Sequence, residues 1–201
     1  MQIIEQANSL LALMREQAES GDFWKNIPLA QEYALRIEEL LHDEDCDWWD
    51  TLAFCDAILL EELLNQRDTP RLCLRFMALR NQILQQTRQE ASPEEYQELH
   101  LTEEAALAIQ QKLTDYIDPA TRMEDWLHQY GGMLRFDPVE MTPQWEEAIF
   151  EVECECEKKL TKANRGMGFC FTYWSTKATI LAKKGIIWRS PSLMKPRVMF
   201  D

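Results

Sequence analysis

Two carboxylate-x-x-His pairs, Glu39 with His42 and Asp125 with His128, have the spacing by which helical bundles hold paired metal ions. Such a site needs both pairs aimed inward, with a carboxylate from each of two further helices. Projection argues the other way. Taking Ile37 as the centre of its apolar face, Glu39 and His42 point about 200° and 140° away, and Asp125 and His128 do the same relative to Met123. Both pairs are expected to face water. Cys154-x-Cys156 has the look of half a zinc site, yet on a helix those positions lie about 200° apart and cannot share an ion. No second Cys or His pair of suitable spacing completes it, so both read as core thiols. Gly166 and Gly168 lie upstream of Ser175, Thr176 and Lys177 without the Gly-Lys-Ser/Thr of a phosphate loop, and there is no Gly-x-Ser-x-Gly elbow. A metal-dependent or other enzyme, built on Asp56 or the His pairs, is therefore the least supported functional reading, and no cofactor is expected.

Asp56 projects among Leu52, Leu63, Trp49 and Leu60, which makes it a partly buried carboxylate that needs a partner. A structural pair with an arginine is expected there in preference to a catalytic role. Arg67, Arg71 and Arg75 recur at every fourth residue, close in sequence to Glu61 and Glu62. They read as an interhelical ion-pair ladder.

The strongest asymmetry is one of charge. Residues 158–201 hold ten Lys and Arg and one acid, Asp201, for +9, whereas residues 1–157 hold 11 bases and 34 acids, for −23. The basic segment also carries Phe169, Phe171, Tyr173, Trp174 and Trp188, a composition able to follow a phosphate backbone and stack bases. Its candidate binding residues are Lys158, Lys162, Arg165, Tyr173, Trp174, Lys177, Lys183, Lys184, Trp188 and Arg189. The simpler expectation is that the rings complete the core while the bases lie against the acidic helices, because a body of −23 gains by holding its own +9 segment.

These residues must be positioned by helices. Apolar residues recur at three and four over residues 2–19, with Gly21 as the stop, and again from Trp24 to Leu41 ahead of the acidic run 42–45. Residues 47–65 are the most apolar stretch and are expected to be a central helix. Thr69-Pro70, Asp118-Pro119 and Thr142-Pro143 read as caps followed by a first-turn proline, Ser92-Pro93 as a short helical turn, and Thr102 as another cap. Gly131 and Gly132 end one helix, and residues 133–141 read as a loop or one short strand. Val152, Cys154 and Cys156 alternate like a strand, but the length and capped start of that segment favour a helix. Residues 169–174 fit either a strand or the first turns of an eighth helix that Gly185 ends. The last sixteen residues read as an extended tail.

The expectation is thus an all-α single domain over residues 1–201: seven or eight helices as a bundle or stacked hairpins, with an acidic body (1–157) and a basic aromatic C-terminal segment (158–201) packed across it. Seven Trp and eight Phe suffice for a core. No run reaches the ~18 apolar residues of a membrane helix. The opening residues lack a basic region, and Glu5, Gln6 and Asn8 interrupt the apolar ones, so no export signal is read. Six Cys within helical patterns suggest reduced thiols and a cytoplasmic setting. The favoured function is a soluble interaction or regulatory protein of inhibitor, immunity or adaptor type, whose acidic surface binds a basic protein partner. The alternative is nucleic-acid binding through the basic segment.

Overall fold

The computed structural model describes residues 2–41, 48–87, 101–131, 135–161 and 166–196, with side chains from residue 8 onward. The described residues are all-α, with no strand. Among the described residues nine helices follow one another: α1 (Gln2–Glu19), α2 (Asn26–Leu40), α3 (Trp48–Leu60), α4 (Pro70–Thr87), α5 (Glu103–Ile117), α6 (Met123–Tyr130), α7 (Pro143–Leu160), α8 (Phe169–Lys183) and the single turn α9 (Pro191–Met194). Short 3-10 turns occupy Phe23–Lys25 and Pro138–Met141. The chain falls into two compact units, 1–114 and 115–201.

In the first unit α3 is central, as its composition predicts. Nearly every residue from Thr51 to Leu59 is buried, and α3 packs against both α1 and α4. Tyr33 of α2 stacks on Phe54 of α3 at 3.7 Å between ring centroids, and Phe54 meets Phe76 of α4 at 6.2 Å. The buried stripe of α4 is Leu72, Phe76, Leu79 and Ile83. Helix α3 stops five residues short of the expected end. Glu62 turns the chain with a φ of 51°, Leu63 and Leu64 fold back into the core, and Gln66 donates to the Leu59 carbonyl that the ended helix leaves open. Asn26, fully buried, donates from Nδ2 to the carbonyls of Met14 and Leu63 at 2.9 and 2.7 Å, tying α1 to this turn.

All but one of the cap-and-proline signals that fall on described residues coincide with a helix start. Thr142 caps α7 and Thr102 caps α5 through their hydroxyls. Pro70 opens α4 as expected, and the Thr69 hydroxyl just before it donates to the Asn65 carbonyl. Asp118 and Pro119 form a turn in which the Asp118 carboxylate accepts from the Ala120 N–H, and α6 starts only at Met123. The acidic run 42–45 and the Ser92-Pro93 turn lie outside the described residues.

In the second unit Tyr116, Met123, Trp126 and Phe136 form an aromatic core against which Tyr130, Met141 and Met194 pack. Residues 138–141, within the expected loop or short strand, form a 3-10 turn capped reciprocally by Asp137 and Glu140. Residues 169–174 are helical, the first part of α8. That helix ends as its glycine predicts: Gly185 has φ 79°, its N–H bonds to the Ala182 carbonyl, and the Ile186 N–H bonds to the Leu181 carbonyl.

Candidate functional site

Helix α7 buries Trp145, Ile149, Val152, Cys156 and Leu160 along one stripe, and Glu153 lies on the same stripe. Helix α8 buries Ile180 and Leu181 and, one turn earlier, Lys177. The two helices pack together, which brings Lys177 Nζ to 2.7 Å from Glu153 Oε1. Each side chain of this pair is 9% exposed. Three rings surround the ammonium, with centroids 4.9 Å (Trp145), 5.6 Å (Trp188) and 5.7 Å (Tyr173) from Nζ. The Tyr173 hydroxyl reaches both Glu153 oxygens at 2.6 Å. A buried charge is thus met by a carboxylate on one side and by π faces on the others.

The segment after α8 closes this cage. Trp188 lies 5.9 Å from Trp145 between centroids and donates from Nε1 to Glu140 Oε1 at 2.7 Å. Its neighbour Arg189 gives Asp137 Oδ2 two bonds, from the backbone N–H at 2.9 Å and from Nε at 2.8 Å. Burial pushes the Asp137 carboxyl up, but the Arg189 guanidinium and the N–H groups of Val139 and Arg189 outweigh it and hold the group below the usual range. Lys184 completes the set with Glu151 at 2.5 Å.

Of the predicted binding residues, the structure gathers Tyr173, Lys177 and Trp188 into one cage and engages Lys184 and Arg189 with acids of the same unit. Trp174 is partly exposed and meets Phe171 edge to face. Lys158 and Lys183 are exposed. Lys162 and Arg165 lie outside the described residues. Glu153 and Trp145, which build the cage from α7, were not among the predicted residues. The signal was present: Glu153 sits four residues after Ile149 on an apolar stripe, just as Asp56 does among leucines.

The comparisons add nothing to this geometry. No family model, curated protein or solved structure matches this chain.

Asp56 is paired with Arg80, as expected of a structural carboxylate, with Nε to Oδ1 at 2.6 Å. Of the three arginines read as an interhelical ladder, Arg75 forms an interhelical pair, with Glu38 and not with Glu61 or Glu62. Arg75 pairs with Glu38 of α2 through two bonds of 2.7 and 2.6 Å, and Glu61 is met by Arg15 of α1 at 2.6 Å. Among the described residues no group of His, Cys, Asp and Glu is placed to hold a metal ion. Asp125 and His128 are exposed, as projected, and Glu39 likewise, while His42 lies outside the described residues. Cys154 and Cys156 share a helix and not a strand, and both are free thiols. Burial and then the Glu153 charge push the Cys156 thiol up to about 11, and burial also raises Cys154, so neither is an activated nucleophile. No described helix is long and apolar enough to cross a membrane.

The acidic surplus belongs to the first unit. Residues 115–201 hold 13 acids and 12 bases, a net −1, while residues 1–114 hold 22 acids and nine bases, a net −13. The +9 segment is therefore matched within its own unit. In the first unit Arg15, Lys25, Arg36, Arg75 and Arg80 are held in ion pairs. Glu16, Glu19, Glu39 and Glu104 remain among its exposed acids.

Proposed function

We propose that this chain is an interaction or regulatory protein whose first unit presents an acidic helical surface to a basic protein partner. The observation that carries the reading is the partition of charge: one unit near neutrality, the other with 22 acids against nine bases. A surplus of that size concentrated on one unit steers a cationic partner toward it and repels nucleic acid and anionic membrane. The alternative, nucleic-acid binding through the basic segment, has less support. Two of its stacking rings, Tyr173 and Trp188, and three of its cations, Lys177, Lys184 and Arg189, are engaged inside the second unit. Among the described residues, Lys158 and Lys183 are exposed and Trp174, packed on Phe171, is partly exposed.

Titration of the full chain with a fluorescent lysine-rich peptide, and in parallel with a single-stranded DNA oligonucleotide, separates the two readings. Saturable peptide binding that weakens as salt is raised, without DNA binding, is the expected result. DNA binding without peptide binding would reverse the order.

A further inference from the structure

Pairings between α7 and α8 run in opposite order along the two helices: Glu151 meets Lys184, and Glu153, farther along α7, meets Lys177 and Tyr173. The helices are therefore antiparallel, and the end of α7 and the start of α8 make one end of a hairpin. Two features meet there. Lys158 and Lys159, in the last turn of α7, are exposed, and neither pairs with an acid among the described residues. Just ahead of α8 Met167 is 97% exposed, and Phe171, in its first turn, is 47% exposed. The backbone that carries both is fixed, because the Phe169 and Phe171 N–H groups donate to the carbonyls of Gly166 and Gly168, and the edge of the Phe171 ring lies beside Gly168. From Lys158 to Trp174 the sequence holds four bases and no acid.

A side chain as bare as Met167 contacts almost nothing of its own chain. Large apolar groups left in that way beside unneutralised lysines fit a partner that offers a soft apolar phase behind a layer of negative charge. We infer that this end of the α7–α8 hairpin dips into the interface of a bilayer containing anionic phospholipid. Met167 and Phe171 enter the acyl boundary, Trp174 follows one turn behind, and Lys158 and Lys159 meet the lipid phosphates. Nucleic acid fits the same charge less well. Stacking of successive bases needs ring faces presented together, whereas Phe171 and Trp174 meet edge to face at 86°, and Met167, the most exposed of the three, has no ring. The net −14 of the chain opposes an anionic surface at long range, but with a Debye length of about 8 Å at physiological salt only charge near the contact counts. This surface belongs to the second unit and does not depend on the acidic role of the first.

Flotation of the full chain with vesicles tests the inference, using phosphatidylcholine alone and phosphatidylcholine with phosphatidylserine in equal parts. Binding to the mixed vesicles is expected to exceed that to phosphatidylcholine by about tenfold, and replacing Lys158 and Lys159 together by Gln should remove the difference. Met167→Ser, at a position packed on nothing, should keep the helicity and the urea midpoint while weakening binding to the mixed vesicles about tenfold, and Phe171→Ser should weaken it similarly. Absence of binding to the mixed vesicles overturns the proposal. So does binding that Met167→Ser and Phe171→Ser leave unchanged, since charge alone would then account for it. A single-stranded DNA oligonucleotide run in parallel decides the other occupant: DNA binding that these variants abolish, without vesicle binding, would make this end of the hairpin a nucleic-acid surface. None of these outcomes bears on peptide binding by the first unit.

Discussion

Arg80 and Asp56, on α4 and α3, form an ion pair at 2.6 Å with only 1% and 2% of their side chains exposed. The pair is completed by one backbone residue. Leu101, just ahead of α5, offers its carbonyl to Arg80 Nη2 at 2.5 Å and its N–H to Asp56 Oδ2 at 3.2 Å. Two helices and the entry to a third are thereby fixed by one satisfied polar network inside an apolar core, which is the condition under which buried charge is tolerated.

Arg80→Met should therefore be severe, at about 3–5 kcal/mol, because Asp56 is left buried and unpaired. Adding Asp56→Leu should recover part of that loss, but not all, since the N–H and C=O of Leu101 then lack their partners at about 1–3 kcal/mol each. Urea unfolding midpoints of the single and double variants check this. A single variant that behaves like a surface substitution would contradict the arrangement.

Asn26 serves the first unit in a similar way without charge. Its Nδ2 satisfies two buried carbonyls, those of Met14 and Leu63, and the second belongs to the turn that Glu62 forces. Asn26→Leu keeps the volume and removes both donors. A loss of about 1–3 kcal/mol is expected, because the Leu63 carbonyl loses its donor while the Met14 carbonyl, inside α1, keeps its helical bond, measured as a lowered urea midpoint at constant slope. Asn26→Asp, which supplies acceptors only, should be no better.

These two sites mark how far the sequence could be read. Periodicity located the helices and most of their buried stripes, and Asp56 announced itself as a carboxylate among leucines. Asn26 gave no such signal, because it stands at the start of α2, where polar residues are ordinary, and its carbonyl partners come from residues 14 and 63. The end of α3 was hidden for a related reason: Leu63 and Leu64 continue the apolar pattern while the backbone at Glu62 has already turned. The basic segment was legible in charge but not in address. Its counterions, Asp137, Glu151 and Glu153, are a specific few residues of its own unit, and pairing across 24 to 52 positions leaves no trace in local spacing.

The strap that carries Trp188 and Arg189 should be sensitive to acid. Asp137 titrates below its ordinary value when folded, so its contribution to stability is complete above the unfolded value of about 3.9 and is lost as pH falls through the lower folded value. In Arg189→Ala the guanidinium no longer offsets burial, and the carboxyl moves upward. The variant is expected to lose stability at neutral pH and to begin its acid transition at higher pH than the wild type. Tryptophan emission followed against pH, together with the NMR titration of Asp137, reports both effects, and an unchanged Asp137 titration in the variant would refute the assignment.

The Lys177 cage makes the sharpest prediction, because two explanations of its stability differ in what can replace the side chain. Lys177→Met keeps the aliphatic bulk and removes the charge, leaving Glu153 buried with the Tyr173 hydroxyl. A loss of about 3–5 kcal/mol is expected, and Glu153→Gln on the same background should return part of it. If the rings recognise the cation itself, Lys177→Ala leaves a cavity lined by Trp145, Tyr173 and Trp188 that a small primary alkylammonium ion can enter. Adding ethylammonium chloride should then raise the unfolding midpoint of Lys177→Ala above that in sodium chloride at equal ionic strength, with no such difference for the wild type, whose cage is filled. The same ion should perturb the emission of Trp145 and Trp188 in the variant alone. An equal response to both salts would mean that the rings serve Lys177 as packing, and that the carboxylate of Glu153 alone holds its charge.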